Sequence, residues 1–422
     1  MTNKTRYVVD VSDLMNWHSH LSGIQRVVAE MAYRYEKEGA IFCYYEEATQ
    51  QFYPLDSFTG HMERREAAMA PQGVAAIAES NTNKAKHFIK RAGSALAPPI
   101  AVKVARRIKH EIASSRQEGQ PVVIRETFTF EKGDTILVFG GHWDKPHYTS
   151  VLAGIKKQYG TTVATVVYDL IPVYDRAHVA EEEHTRFPRY IKAISEFTDV
   201  VYVISESTKR DYLRFLKEND IKNKPKVQVV ILGEDFSHKT PVKPDGFTAK
   251  DYVLAVSTIE VRKNYGLLYA TYKRAKELGV TLPKLVIVGR QGWLAGDLYY
   301  QMVHDSDVSD SIQFIHNAND EALCWLYEHC LFTVYPSFYE GWGLPVAEAA
   351  SYGKASAASS ASSIPEVVGD AAVYFSPFSA DECLAAFKRL MDDKERAKLE
   401  AKLKKRTPNN WDMAYEQTKK VL

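Results

Sequence analysis

The sequence predicts an α/β protein made of two doubly wound halves with a cleft between them. Apolar strand patterns alternate with helical patterns over residues 6–232 and again over residues 252–377, which is typical of parallel sheets covered by helices on both faces. The polar residues 233–251, rich in Pro, Lys and Asp, look like a linker. A chain of 422 residues also exceeds one ordinary core. We therefore predict an N-terminal domain over 1–235, a C-terminal domain over 250–400 and a C-terminal helix over 401–422 that crosses back to the first domain.

The composition argues against several other classes of protein. Acidic and basic residues nearly balance at a net charge of +1, so the chain as a whole does not attract nucleic acid. No run approaches the roughly 18 apolar residues of a membrane span, and the N-terminal residues lack the apolar segment of a signal peptide. The four scattered cysteines form no CxxC pair, which favours reduced thiols over disulfides or a zinc site. We expect a soluble, cytoplasmic enzyme or binding protein.

The first half opens with a strand, a loop and a helix. Residues 6–12 have the apolar pattern of a strand, the loop ends at Gly23, and apolar residues at helical spacing continue to Gly39. This order begins many nucleotide-binding units, although one glycine alone is a weak signal. The same patterns predict strands at 41–47, 134–141, 161–169, 199–205 and 226–232, and helices over 149–159, about 181–195 and 206–217.

An insertion is expected at about residues 80–120, and residues 84–116 within it are strongly basic. Nine Lys and Arg residues stand against a single acid, Glu111, and Pro98-Pro99 divides the segment into two short amphipathic helix candidates. Two interpretations stay open. The segment is either a surface that docks on anionic lipid or on a phosphate-bearing, lipid-linked molecule, or it is a solvated helical insertion.

The second half repeats the alternation of strands and helices. Its first helix starts at about Gly266, and ligands of such sheets bind beyond the carboxyl ends of the strands. Residues at these ends are therefore the candidates for a site. Strands are predicted at 252–258, 284–289, 311–316, 331–337, 354–360 and 371–377.

The loop at residues 340–343 gives the clearest signal for a ligand. It joins a strand to a helix that starts at Leu344, with Pro345 suited to the first turn. The N–H groups of such a helix start can hold an anion, such as a diphosphate. Glu340 and Glu348 bracket it, one near the phosphate end and the other able to accept hydrogen bonds from vicinal hydroxyls. The alternative is a simple turn, with Glu348 complementing the helix dipole.

Two other strand ends of the second half carry candidate residues. Arg262 and Lys263 would neutralise charge on a leaving phosphate, although such pairs are also common on solvated surfaces. After the next strand, the backbone at Gly289 is placed to approach a nucleotide, with Arg290 or Trp293 shaping the pocket. Packing is the alternative role for Trp293.

Three strand ends of the first half point into the same cleft, and one acidic pair lies elsewhere. His142 or Tyr168 would orient a substrate hydroxyl, whereas a lone loop histidine is more often structural and Asp169 also suits a turn. Asp305 and Asp307 have the spacing of a metal-binding pair, but their position before a strand indicates a surface loop.

Together these motifs resemble family 4 of retaining glycosyltransferases, which has the GT-B fold of two Rossmann-like domains facing across a cleft. The resemblance is strongest over residues 252–377, in VSTIEVRKN, LVIVGRQGW, the Glu-x7-Glu motif EGWGLPVAE and SSASSIPEVVGDAAVYFSP. It continues more weakly in GIQRVVAEM, VVYDLIP and VISESTKRDY. It implies a hexosyltransferase that moves a hexose from a nucleotide-diphosphate sugar to a hydroxyl of a saccharide or lipid-linked saccharide, as in bacterial O-antigen and other surface-polysaccharide synthesis.

The resemblance also implies roles for individual residues. Glu348 would bind the ribose, Glu340 would lie near the sugar and β-phosphate, and Lys263 with Arg262 would hold the diphosphate. The second domain would bind the donor, Gly23 would close from the first domain, and the acceptor would lie against that domain. The expected catalytic residues are Glu340, Lys263 and Arg262. The expected donor-binding residues are Glu348, Gly341, Trp342, Gly343, Leu344, Gly23, Gly289 and Arg290. The acceptor-side candidates are His142, Trp143, Tyr168 and Asp169.

Two departures from the family pattern bear on the mechanism. Tyr168-Asp169 stands where many relatives have His-Asp, and Ser257-Thr258 stands where many have Gly-Arg. The first removes a histidine contact to the donor sugar, and the second removes a phosphate ligand. Catalysis does not need a side-chain base if the departing phosphate takes the acceptor's proton on the same face. No metal or other cofactor is expected.

Several alternatives remain open at this point. GDP-mannose is the favoured donor, ahead of a dTDP-, UDP- or GDP-deoxyhexose such as a rhamnosyl donor. A nucleotide-sugar epimerase or a phosphorylase can share the fold, and so can a non-catalytic nucleotide-sugar-binding protein. The expected location is the cytoplasm, with peripheral contact of residues 84–116 with the inner face of the membrane as one option.

Overall fold

The computed structural model describes residues 5–15, 17, 21, 23–69, 125–234 and 239–422. The basic segment 84–116 and the expected insertion at about 80–120 lie outside them. The chain separates into two compact units, one of residues 1–56 with 129–422 and one of residues 57–128. The helix Phe58–Met69 belongs to the smaller unit. All elements that form the site described below belong to the larger unit.

The first sheet has seven strands in the order β3-β2-β1-β4-β5-β6-β7. All neighbours are parallel except β2 and β3, which are antiparallel. The sequence patterns missed β3, a short edge strand in which Pro54 lies opposite Cys43; proline is tolerated at such an edge because its missing N–H is not needed by a further strand. The strands are β1 (Tyr7–Asp10), β2 (Ile41–Glu46), β3 (Gln51–Leu55), β4 (Thr135–Val138), β5 (Thr162–Val167), β6 (Val200–Val203) and β7 (Lys226–Val229).

Amphipathic helices cover this sheet. In α2, for example, the buried residues recur at helical spacing from Val27 to Tyr35. The helices that belong to the larger unit with this sheet are α1 (Ser12–Met15), α2 (Ile24–Lys37), α4 (Tyr148–Tyr159), α5 (Ile171–Tyr174), α6 (Glu183–Ser195) and α7 (Glu206–Glu218). The helix of the smaller unit is numbered α3 (Phe58–Met69) by its place in the chain.

The second sheet has six parallel strands in the order β10-β9-β8-β11-β12-β13. Its central strands are buried, as continuous apolar runs require in a sheet that is covered on both faces. The strands are β8 (Tyr252–Val256), β9 (Lys284–Val288), β10 (Ile312–Ile315), β11 (Phe332–Tyr335), β12 (Ser356–Ser359) and β13 (Val373–Phe375).

Helices lie on both faces of the second sheet, over two clusters of buried apolar residues. They are α8 (Tyr265–Glu277), α9 (Gly296–His304), α10 (Asp320–His329), α11 (Leu344–Ser351), α12 (Ile364–Val368), α13 (Ala380–Met391) and α14 (Asp393–Leu403), and one more helix, α15 (Trp411–Lys419), ends the chain.

The last helix, α15, packs on the first sheet. The hydroxyl groups of Tyr35 and Thr418 lie 2.8 Å apart, and the Tyr202 hydroxyl donates to the Thr418 carbonyl at 2.9 Å. Trp411 is buried over Gly233, where an added Cβ would lie 2.5 Å from the indole. The chain therefore returns from the second sheet to the first.

These findings confirm the predicted fold class, two Rossmann-like parallel sheets. In each sheet the strand order reverses beside a central strand, at β1 and β4 in the first and at β8 and β11 in the second. Ligands of doubly wound sheets bind at such reversal points, beyond the carboxyl ends of the strands. Within the described residues, no helix has both the length and the apolar character that crossing a bilayer would require.

Candidate active site

Arg262, Lys263 and Glu340 form a buried charge cluster at the carboxyl ends of β8 and β11. Lys263 Nζ donates to Glu340 Oε1 at 2.6 Å and to the Tyr335 hydroxyl at 2.9 Å. Arg262 Nη1 lies 2.9 Å from Glu340 Oε2, and Nη2 donates to Glu260 Oε1 at 2.8 Å. Two cations therefore balance two carboxylates, while the lysine and the guanidinium each carry more N–H donors than these contacts use.

The backbone around the two cations is fixed by an asparagine that the sequence patterns did not single out. The short 3-10 turn Val261–Lys263 ends at Asn264, whose φ of +57° is a left-handed conformation that asparagine tolerates. The Asn264 side chain donates to the carbonyls of Pro336 at 3.0 Å and Pro377 at 2.8 Å. Asn264 thus holds the turn against the loops that follow β11 and β13.

Opposing effects set the pKa values of the cluster. Burial would raise the pKa of Glu340, but Arg262 and Lys263 lower it to about 2. Burial and Arg262 lower the pKa of Lys263 below its ordinary value, against the pull of Glu340. Glu340 is therefore ionised at neutral pH. A further anion beside Lys263 would favour the protonated amine.

Two serines hold the loop that carries Glu340. The Glu340 N–H donates to Ser362 Oγ at 2.8 Å, and Ser363 Oγ donates to the carbonyls of Glu340 and Trp342 at 2.8 Å each. The Trp342 residue is 5% exposed, comparable with Glu340 and Glu348 at 8% each, and its role in donor binding stays a prediction.

Helix α11 begins directly after this loop at Leu344. Gly343 precedes it with a φ of +127°, a conformation that other residues rarely adopt, and no side chain caps the first turn. The positive end of the helix dipole favours an anion here, although Pro345 has no N–H and the N–H groups of Val346 and Ala347 donate to the Gly343 carbonyl at 3.0 and 3.2 Å.

Glu348 lies one turn further along α11 and is buried. The Tyr327 hydroxyl donates to its Oε2 at 2.9 Å, and Arg26 Nη1, from α2 of the first half, lies 3.9 Å from its Oε1. Burial raises the pKa of Glu348 to about 7, although Arg26 opposes this effect. Glu348 is thus poised between its neutral and ionised forms near neutral pH.

A cavity of about 480 Å³ is lined by strand ends of both sheets. Trp143, Tyr168 and Asp169 contribute to it from the first half, and Arg262 and Trp293 contribute from the second. Most of the remaining wall is apolar. Arg262 belongs to both the cavity and the charge cluster, so a molecule in the cavity lies beside the cations.

The comparison with known protein families agrees with this geometry. Residues 239–410 match the family described as glycosyl transferases group 1. These residues form a glycosyltransferase group 1 domain. The matched residues contain the charge cluster, α11 and Glu348, which are the parts that the sequence motifs singled out.

Related proteins include mannosyltransferases, each matched over part of its length. O-antigen chain mannosyltransferase B of Escherichia coli is 39% identical over 147 residues, which cover 34% of this chain and 38% of that protein. The serotype-specific mannosyltransferase WbdA of Escherichia coli is 28% identical over 204 residues, which cover 45% of this chain and 25% of WbdA. The chain therefore spans less than half the length of these two relatives.

Solved structures share the fold over nearly the whole chain. Sucrose-phosphate synthase from Thermosynechococcus elongatus superposes with a TM-score of 0.61 at 16% identity, covering 99% of this chain and 98% of that one. HepE of Anabaena, in complex with UDP and glucose, superposes with a TM-score of 0.62 at 13% identity and covers 99% of each chain. At such identities the likeness shows the fold alone, and it confirms the GT-B fold.

In this glycosyltransferase domain, Gly341 lies directly against the first half. A Cβ added at Gly341 would lie 2.2 Å from the Tyr168 carbonyl oxygen, which is backbone and cannot swing aside. The Thr208 hydroxyl contacts the carbonyls of Tyr168 and Gly341 at 3.2 and 3.3 Å. Gly341 is therefore needed for close approach of the two halves.

We expect Gly341→Ala to push the two halves apart and to lower the free energy of unfolding by about 1–3 kcal/mol. Sugar transfer should fall at least about tenfold, since a 1 Å misplacement alone can cost about 100-fold. Gly154→Ala is the matched control, because Gly154 lies inside α4 and nothing lies within 4 Å of an added Cβ; it should stabilise the helix by about 0.5–1 kcal/mol. Thermal melting and initial rates measure both effects. Parent-like melting and activity of Gly341→Ala would show that the contact is dispensable.

The other predicted donor residues lie at element ends. Gly23 precedes α2 with a φ of +53°, and its carbonyl accepts from Val27 N. An added Cβ at Gly289 would lie 1.9 Å from the Ser257 carbonyl oxygen, so this glycine lets two neighbouring strand ends approach. Arg290 is exposed, and its carbonyl accepts from Ile259 N at 2.8 Å. In this structure the three residues shape the backbone of the cleft.

His142 does not reach the cavity, contrary to the prediction that it orients an acceptor hydroxyl. It is completely buried, with Nε2 3.1 Å from Asp10 Oδ2 and Nδ1 3.3 Å from Asp13 Oδ1. The Tyr148 hydroxyl also donates to Asp10 Oδ2 at 2.5 Å. Asp10, the last residue of β1, and Asp13 in α1 thus lie against the buried imidazole, and His142 joins them to the segment that follows β4.

The other acceptor-side candidates line the cavity. Trp143 packs edge-on against Phe187, with ring centroids 5.4 Å apart. The Tyr168 hydroxyl donates to the Phe139 carbonyl at 2.6 Å, and burial holds its pKa well above the ordinary value. Asp169 Oδ1 accepts from Ile171 N at 3.0 Å, and burial raises the pKa of Asp169 although Arg262 opposes this. Tyr168 is therefore poorly suited to act as a base.

The acidic pair Asp305 and Asp307 lies at the end of α9, as a surface loop. Both carboxylates are occupied by lysines: Lys273 Nζ donates to Asp305 at 2.8 Å, and Lys276 Nζ donates to Asp307 at 2.8 Å. In the part of the chain that the structure describes, no group of three or more His, Cys, Asp or Glu residues is arranged to hold a metal ion.

Sequence reasoning missed residues that act across the two halves. Arg26 contacts Glu348, and the Glu366 carboxylate accepts from the first N–H groups of α7, Glu206 N at 2.7 Å and Ser207 N at 2.8 Å. Both residues lie inside motifs that carried the family resemblance, GIQRVVAEM and SSIPEVV. Only the packing of the halves reveals which partner each side chain meets.

Proposed function

We propose that this chain is a retaining glycosyltransferase that moves a hexose, with mannose favoured, from a nucleotide-diphosphate sugar to a hydroxyl group of a saccharide or lipid-linked saccharide. The observation that carries the proposal is the cluster of Arg262, Lys263 and Glu340 beside the uncapped start of α11, at the edge of a cavity lined by both halves. The named mannosyltransferase relatives support mannose, and GDP is the nucleotide that we favour with it.

The diphosphate would lie against the two cations and the start of α11. Lys263 and Arg262 retain N–H donors beyond those that Glu340 and Glu260 occupy. Charge develops on the diphosphate as the sugar leaves, and preorganised donors in a site that excludes water stabilise that charge most strongly. Glu348 would accept hydrogen bonds from the ribose.

In the proposed reaction, the bond between the anomeric carbon and the phosphate oxygen breaks. The acceptor oxygen then bonds to the same carbon on the same face, so the anomeric configuration is retained. The acceptor's proton passes to the departing phosphate oxygen, because Tyr168 holds its own proton in a hydrogen bond to Phe139. We propose that neither a metal nor another cofactor takes part.

A panel of nucleotides tests the donor site. Thermal melting is measured with GDP, UDP, dTDP and ADP at one common concentration, at which a nucleotide whose dissociation constant is about one hundredth of that concentration adds about 2.7 kcal/mol of stability. GDP should raise the melting temperature most. A larger effect of UDP or dTDP would replace the GDP assignment, and no effect of any of the four would contradict the proposed function.

The anomeric configuration of the product tests the stereochemistry. Incubation of the chain with GDP-mannose and a mannoside acceptor should give an α-mannosidic product, which proton NMR distinguishes from the β-anomer. Release of nucleotide without transfer would contradict the proposed transferase activity, and a β-linked product from the α-configured donor would contradict retention.

A further inference from the structure

Arg26 links the first half of the molecule to Glu348 in the second. It lies in the first turn of α2, three residues after Gly23, and its Nη1 lies 3.9 Å from Glu348 Oε1. The two side chains are 20% and 11% exposed. Tyr327 from the second half donates to the other oxygen of Glu348 at 2.9 Å. The carboxylate thus has one partner from each half.

We propose that Arg26 is a positioning residue of the donor site: when the two halves are closed, its charge keeps Glu348 in the ionised form that accepts hydrogen bonds from the donor ribose. The inference rests on the proposed function, because it assigns Glu348 to the ribose. It adds a charged residue from the first half, beside Gly23, to a site that the family motifs place mainly in the second.

Arg26 is the main group around Glu348 that favours the ionised carboxylate. Among the residues that the structure describes, the ionisable groups that face Glu348 are Arg26 from α2, Asp320 and Tyr327 from α10, and Tyr352 just after α11. Of these four, only Arg26 carries a positive charge. Burial raises the pKa of Glu348 to about 7, Arg26 opposes it first and the Tyr327 hydroxyl second, and Asp320 raises it further. Loss of Arg26 would therefore favour the neutral acid.

The ionisation state decides what Glu348 can bind. An ionised carboxylate only accepts hydrogen bonds, so both of its oxygens suit the hydroxyl donors of a ribose. A protonated carboxyl is itself a donor and accepts less strongly. Because Arg26 and Glu348 belong to different halves, separation of the halves would remove the charge and weaken the hold on the ribose. Donor binding and closure would thereby favour each other.

The test measures nucleotide affinity against pH in the parent, Arg26→Gln and Arg26→Lys. The probe is the nucleoside diphosphate that stabilises the parent most in the melting panel, titrated at pH 6, 7, 8 and 9. The ratio of variant to parent affinity removes the titration of the ligand itself. If loss of the charge raises the midpoint by about one pH unit, the ionised share of Glu348 at pH 7 falls from about a half to about a tenth. Arg26→Gln should then bind about fivefold more weakly at pH 7 and recover to within about twofold at pH 9.

Two further variants make the result specific. Arg26→Lys retains the charge and should restore most of the affinity at pH 7. Arg34→Gln is the matched control, since Arg34 lies on the same helix but pairs with Glu30 and Asp412; its affinity should match the parent at every pH.

Each other outcome counts against the inference. Equal affinity of Arg26→Gln and the parent at all four pH values would overturn it, and so would a loss that persists at pH 9, which would indicate a direct contact with the ligand. If Arg26→Gln does not fold, Arg26→Met takes its place in the same titration, because it keeps the aliphatic length of the side chain without the charge and must show the same loss at pH 7 and the same recovery at pH 9. If the parent binds none of the four nucleotides, the proposed function fails together with the inference. If the parent binds a nucleotide and Arg26→Gln binds it with the same affinity, only the inference fails.

Discussion

Lys263→Ala transfers sugar about 10²- to 10³-fold more slowly than the parent if Lys263 stabilises the charge on the departing diphosphate, which corresponds to about 2.7–4 kcal/mol of barrier. The side chain is 13% exposed and donates to Glu340 and Tyr335. A charge held so rigidly needs no rearrangement during the reaction, so its removal should lower kcat more than it raises KM for the donor. Steady-state kinetics at saturating donor and acceptor measure the effect.

A lysine elsewhere in the same domain provides the control. Lys273 on α8 pairs with Asp305 and Asp307, away from the cavity. Lys273→Ala should keep kcat within about twofold of the parent, since surface ion pairs contribute about 0–1 kcal/mol to stability and nothing to the reaction. If Lys263→Ala also stays within about twofold, the proposed role of Lys263 is wrong.

Glu340→Gln should lower the free energy of unfolding at neutral pH by about 3–5 kcal/mol, the usual cost of breaking a buried ion pair. The substitution keeps the shape of the side chain but removes the charge that faces both Arg262 and Lys263 at 2.9 and 2.6 Å. Glu260 then remains as the carboxylate beside Arg262. Thermal melting measures the loss. The control is Glu277→Gln, since Glu277 pairs with Arg274 on the exposed face of α8 and should cost at most about 1 kcal/mol.

The pH dependence of this loss has a definite sign. The neighbouring cations overcome burial and lower the pKa of Glu340 to about 2, from an ordinary value of 4.5. Its charge therefore stabilises the folded state fully above about pH 4.5, and the stabilisation disappears as the pH falls toward about 2. The difference in melting temperature between the parent and Glu340→Gln should narrow over that interval. A difference that stays constant down to the lowest pH at which both fold would mean that the carboxylate is not ion-paired.

The sequence predicts most of the fold because its strands are buried on both faces. Continuous apolar runs such as residues 252–256 and 284–288 are typical of strands in a parallel sheet that is covered by helices on both faces. The edge strand β3 was missed, since a short segment with a proline has no such pattern. Local patterns thus specify elements that the core requires and say less about those at the rim.

The candidate site was predictable where its residues directly follow the strands of one sheet. Arg262 and Lys263 with the Glu340 loop were identified in this way, because strand ends of one sheet share an edge. The burial of His142 was not predictable in this way, because it depends on Asp10 and Asp13. These residues lie about 130 residues earlier in the chain and contact His142 only because β1 pairs with β4. The contact of Arg26 with Glu348 depends on how two halves meet, which no local pattern encodes.

A crystal structure of the chain with bound nucleoside diphosphate tests the central claim most directly. The account predicts a nucleotide in the cleft, with oxygens of the diphosphate about 3 Å from Lys263 Nζ and from the guanidinium of Arg262, and with the ribose hydroxyls on Glu348. A diphosphate bound away from Lys263, or a ribose that does not contact Glu348, would contradict it.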